Sequence, residues 1–110
     1  MVWLASISLS KWFHEEKNSQ KYLEKAENVL ELGTGTGLLG IFLALRYAAQ
    51  KKRVNLVLTD LEKPSLEITQ QNVDVNGLTG PNDTQAQTRV AVKYFKWGEH
   101  AIEGALEQGL

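Results

Sequence analysis

An α/β fold built on a parallel sheet is predicted by three features of the sequence: short apolar segments that do not alternate strictly, helix-forming segments between them, and a turn or an acid closing each apolar run. Residues 29–32 run into a glycine-rich turn, residues 54–59 are followed by Asp60, and residues 89–97 read as a third strand. The order helix, strand, helix, strand, helix, strand then requires right-handed crossovers. With 110 residues there is room for one core and no second domain.

Each element has its own local reason. In residues 4–13 the apolar positions Ala5, Leu9, Trp12 and Phe13 fall on one face of a helix, which must pack on something. A charged stretch, 14–27, leads into the first strand. After the glycines, Leu38, Leu39, Ile41, Phe42, Leu43, Ala44, Leu45 and Ala48 predict a helix that is apolar over most of its circumference and largely covered. Lys51-Lys52-Arg53 reads as its basic end, suited to the helix dipole. In 64–76, Pro64 suits a helix start, Leu66 and Val73 share a face, and Asn76-Gly77 supplies a left-handed stop. Residues 78–88, with Gly80-Pro81-Asn82-Asp83, read as a mobile loop, and 101–108 as a last short helix.

Composition narrows the function classes. The formal charge is −1 and the longest basic run is three residues, so neither nucleic acid nor an anionic membrane is expected as a partner. The absence of cysteine removes disulfides, thiolate zinc sites and a cysteine nucleophile, and it fits a cytoplasmic location. His14 and His100 lack metal-ligand spacing, so no metal site is expected. The apolar run 38–45 is interrupted by Gly40 and followed by Arg46, too short to span a bilayer, and Met1-Val2-Trp3-Leu4 has no basic opening of a secretory signal.

The chemistry is carried by Glu31-Leu32-Gly33-Thr34-Gly35-Thr36-Gly37. Three glycines where a strand gives way to a helix let a ligand approach the backbone, and the first turn of the helix offers free N–H groups. Ligands bind at this carboxyl end of a parallel sheet. Asp60, 23 residues after Gly37, closes the next strand beside the same crevice, where a carboxylate accepts both hydroxyls of a ribose. Two ligands compete. Gly35-Thr36-Gly37-Leu38-Leu39-Gly40 also matches the dinucleotide fingerprint, but counting from Gly33 the third glycine falls at Leu38, whose side chain is expected to obstruct helix–strand packing. Glu31 suits an ammonium group and repels a pyrophosphate. No lysine follows the last glycine as a phosphate-binding loop requires.

These residues resemble the seven-strand protein lysine methyltransferases that modify translation elongation factors and chaperones. Val2-Trp3 with the following helix resembles the family's tryptophan-led opening segment, and Glu31 to Gly37 its glycine-rich motif. Leu58-Thr59-Asp60 resembles its ribose-binding strand end, and Lys96-Trp97-Gly98 the Trp-Gly that closes over the adenine. The resemblance implies a Rossmann-like three-layer sandwich and a cofactor, S-adenosylmethionine, held by Trp3, Glu31, Gly33, Thr34, Gly35, Gly37, Asp60 and Trp97. Read as residues alone, Trp3 and Trp97 also fit a place in the core. It also implies a leading helix within residues 3–18, a cofactor-binding half over 28–97, and a protein substrate such as an elongation factor.

The family's acidic motif ending in tyrosine, which faces the lysine, has no counterpart here, and the family sheet has four further strands. The 110 residues are therefore expected to be part of a longer enzyme, with β-strand one left as an edge and no catalytic residue among them. Glu31 and Asp60 face the cofactor and are excluded as bases. The rival functions are a nicotinamide-dependent oxidoreductase half-domain and a cofactor-binding scaffold without turnover.

Overall fold

The structure is a computed structural model that describes residues 4–78 and 88–96. Its elements are α1 (Leu4–His14), α2 (Glu16–Tyr22), β1 (Asn28–Glu31), α3 (Leu38–Ala49), β2 (Val54–Asp60), α4 (Lys63–Val75) and β3 (Thr88–Tyr94). The three strands are parallel in the order β1-β2-β3, with Glu31 opposite Leu58 and Asp60 opposite Tyr94. The central position of β2 explains its unbroken apolar run. Val54, Leu56 and Leu58 meet Ile41, Leu43, Ala44 and Tyr47 of α3 and Val73 of α4 in one core, while Val57 and Thr59, on the opposite face, are buried as well.

The crossovers end where the sequence supplies stops. After α4, Gly77 is left-handed at φ 69°, its N–H donates to the Asp74 carbonyl and the Leu78 N–H to that of Val73. This is a Schellman closure, with Leu78 packed against the core behind it. After α3 the basic run behaves otherwise than expected. The helix stops at Ala49 with Gln50 as its cap and Lys51 left-handed at φ 56°, so Lys51-Lys52-Arg53 lies beyond the helix, and only Arg46 occupies its last turn. Lys52 Nζ instead donates to the Glu24 carbonyl at 3.1 Å.

The leading segment differs too. In place of a single helix within 3–18 followed by charged linker, α1 ends at His14 and α2 begins at Glu16, with Glu15 extended between them. Asn18 Nδ2 donates to the Trp12 carbonyl at 2.8 Å, and Ser19 Oγ donates to the Phe13 carbonyl. Two buried polar side chains thus satisfy carbonyls left open at the end of α1. Because the buried positions of α2 are Asn18 and Ser19, it has no apolar stripe for periodicity to detect. The third strand stops at Tyr94, short of the expected 97, and the segment expected as helix 101–108 lies outside the described residues, as does nearly all of the expected loop 78–88.

Candidate functional site

The turn between β1 and α3 is tied into the C-terminal edge of the sheet by its own backbone. Gly33, Gly35 and Gly37 adopt φ of 69°, 61° and 89°, a left-handed region that side chains disfavour, and this reverses the chain within a few residues. The Thr34 N–H donates to the Thr59 carbonyl at 2.8 Å, and the Gly37 N–H to the Thr34 carbonyl at 2.9 Å. Thr59 Oγ1 donates to the Glu31 carbonyl at 2.6 Å. The turn therefore sits on the end of β2, beside Asp60.

Asp60 bridges two loops. Its Oδ2 accepts the Gly35 N–H at 2.9 Å and its Oδ1 accepts the Glu62 N–H at 3.0 Å. Each oxygen keeps a second lone-pair direction, which a ribose hydroxyl needs. Glu31 closes the other side. Its Oε1 accepts the Thr34 hydroxyl at 2.5 Å, and the backbone of Gly40, the third residue of α3, lies close to the carboxylate. Burial raises the Glu31 carboxyl above its ordinary range; the hydrogen bond from Thr34 and the nearby Gly40 backbone oppose the rise and the negative charge of Asp60 adds to it.

Six of the eight expected site residues come together in this way: Glu31, Gly33, Thr34, Gly35, Gly37 and Asp60. Trp3 and Trp97 lie outside the described residues. The six are not equivalent. A side chain at Gly33 meets nothing within 4 Å, so its face of the turn is open. Gly37 faces inward instead, with Thr69 Cγ2 2.9 Å and Ile41 Cδ1 3.0 Å from where its Cβ would stand. Thr34 is buried and spends its hydroxyl on Glu31, so it orients the carboxylate.

One expectation is corrected. Leu38 does not obstruct the helix–sheet contact, because it stands outward and is 37% exposed. The close approach is at Gly40, where an added Cβ would lie 2.2 Å from Leu58 Cδ2. The register of the glycines therefore does not separate a methyl donor from a dinucleotide. What separates them is the charge of Glu31 beside the turn, which favours an ammonium group and opposes a pyrophosphate, whereas an acid in the place of Asp60 suits the ribose of either ligand.

Sequence reasoning missed Gly40, Thr59, Thr69 and Asn72. Thr69 Oγ1 donates to the Gly35 carbonyl and Asn72 Nδ2 to the Thr36 carbonyl, both at 2.8 Å. Thr69 had a signal. It lies three residues after Leu66 and four before Val73, in the apolar stripe of α4, where a hydroxyl must find a partner. Next to the site, a groove of about 560 Å³ runs along β1 between α1 and α3, lined chiefly by apolar residues such as Leu9, Phe13, Leu39 and Leu43 and reaching Glu31 and Gly33.

Comparison with known proteins agrees with this geometry. The chain is similar to the protein N-lysine methyltransferase METTL21A of Danio rerio, with 36% identity over 100 residues that make up 91% of this chain and 38% of that protein. It thus spans about two fifths of that relative's length. Among solved structures, a coclaurine N-methyltransferase bound to N-methylheliamine and SAH superposes with a TM-score of 0.61 at 18% identity, over 89% of this chain and 24% of that one. A Galdieria sulphuraria protein assigned as a sarcosine dimethylglycine methyltransferase gives 0.57 at 18% identity, over 82% and 29%. These two establish the Rossmann-like α/β fold. The model of the lysine methyltransferase family matches residues 1–109, and the chain belongs to that family.

Proposed function

We propose that the full-length protein is an S-adenosylmethionine-dependent protein-lysine N-methyltransferase and that this chain contributes most of its cofactor site. The observation that carries the reading is the pair of carboxylates at the two ends of one glycine turn, Glu31 under the start of α3 and Asp60 at the end of β2. The turn fits the cofactor: Asp60 would hold the ribose hydroxyls, the open face at Gly33 leaves backbone to be approached, and Glu31 would take the methionine ammonium. When bound, S-adenosylmethionine supplies a methyl group on a sulfonium.

The residues of this chain bind and orient. In this reading both carboxylates face the cofactor, Asp60 its ribose and Glu31 its methionine end, so neither takes the proton of the lysine, and the contribution here is positioning. We assign the substrate as a protein lysine, on a translation elongation factor or a similar protein, and the location as the cytoplasm; the support is the sequence resemblance. The dinucleotide reading keeps one point in its favour, Gly40 at the close helix–sheet contact, and has the Glu31 carboxylate against it. To test the activity, full-length protein is incubated with methyl-labelled cofactor and a cell extract, and the labelled residue is identified by mass spectrometry. Label on lysine is expected; label confined to other residues, or none, would overturn the assignment.

A further inference from the structure

Helix α4 holds the glycine turn through two side chains. The Gly35 carbonyl accepts from Thr69 and the Thr36 carbonyl from Asn72, side chains three residues apart on one face of the helix. Thr69 is fully buried and Asn72 half-buried, and Val73 beside them is seated in the core, so the grip stands on a fixed base. Thr69 Cγ2 also fills the space next to Gly37. From β2 come the opposing ties, Thr34 N–H to Thr59 and Gly35 N–H to Asp60.

A trans peptide is planar and its C=O and N–H point in opposite directions. Holding the Gly35 carbonyl toward Thr69 therefore turns the Thr36 N–H away from α4, and holding the Thr36 carbonyl toward Asn72 turns the Gly37 N–H toward Thr34, which it meets at 2.9 Å. The direction of successive peptides in the turn is thus set by two side chains that lie behind it. With either released, three left-handed glycines have many other conformations to visit.

We propose that Thr69 and Asn72 are positioning residues for the cofactor: they hold the peptides of the turn in the one arrangement that accepts it, without touching it. This rests on the turn being the cofactor site. The test uses the full-length protein with Thr69→Val, which keeps the side chain's shape, Thr69→Ser, which keeps the hydroxyl, and Asn72→Ala. Amide hydrogen exchange is followed by NMR without ligand, and S-adenosylhomocysteine is titrated by calorimetry.

Thr69→Val and Asn72→Ala should each speed exchange at Thr34, Gly35 and Gly37 while Leu56 and Leu58 in β2 stay protected. Each should raise the Kd about tenfold, equivalent to ~1.4 kcal/mol, and Thr69→Ser should restore both readouts. Should Thr69→Val fail to fold, Asn72→Ala decides. Wild-type exchange and affinity in the variants would overturn the proposal, as would a loss of protection spread equally through β2, which marks a general structural role. If the wild-type protein itself takes no S-adenosylhomocysteine, the cofactor assignment fails, and the proposal falls with it.

Discussion

Burial and charge compete at Glu31, and the competition has a pH signature. Its carboxyl sits above the usual value of 4.5 because the folded protein desolvates it. For an acid raised on folding, the folded state binds the proton more tightly than the unfolded chain does. The stabilisation is then fully present below 4.5 and is lost as pH rises through the folded value. Glu31→Gln keeps an acceptor for Thr34 and removes the titration. Its unfolding midpoint should match wild type at low pH and exceed it at neutral pH, while its affinity for the cofactor falls; a midpoint difference that stays constant across pH would contradict this. Asp60→Ala should weaken S-adenosylmethionine binding by about 1.5–3 kcal/mol, the range for hydrogen bonds to a charged acceptor, and unchanged affinity would remove Asp60 from the site. Glu31 and Asp60 were legible in the sequence because an acid at the end of a buried strand is a local pattern. Thr69 and Asn72 were not read, since their partners lie 34 and 36 residues away and nothing local names them.

At the scale of elements, the glycines divide by task. Gly40 sets how closely α3 lies on β2, so Gly40→Ala should destabilise the protein by roughly 1–3 kcal/mol, the usual cost of overpacking, in denaturant unfolding; wild-type stability would mean that Leu58 yields more easily than the geometry allows. Gly35, left-handed at φ 61°, lies at the middle of the turn, tied to both Asp60 and Thr69. Gly35→Val should abolish S-adenosylhomocysteine binding while costing the fold only about 1–2 kcal/mol of backbone strain, and a normal titration would refute the turn as a cradle. The sequence located α3, α4 and β2 closely because an apolar period, a proline and an Asn-Gly stop each mark a boundary locally. It lost α2, whose buried face is polar, and it placed the close-packing glycine at the wrong register. Both misses arise where a side chain's role depends on a partner in another element.

At the scale of the molecule, the order β1-β2-β3 leaves β1 as an edge in the described sheet, with the apolar groove alongside it. Unpaired strand backbone next to apolar surface invites association. Residues 1–110 expressed alone should therefore self-associate in sedimentation and transfer no methyl group to protein; a monodisperse monomer with robust transfer would show that the unit is sufficient by itself. In the proposed function Glu31 takes the methionine ammonium and Asp60 the ribose of S-adenosylmethionine, groups that its demethylated product shares. Calorimetric titration of the full-length protein with S-adenosylhomocysteine and, separately, with NAD tests this assignment most directly. Saturable binding of S-adenosylhomocysteine that Asp60→Ala weakens, with no heat from NAD, is the result the account predicts; saturable binding of NAD with none of S-adenosylhomocysteine would contradict it.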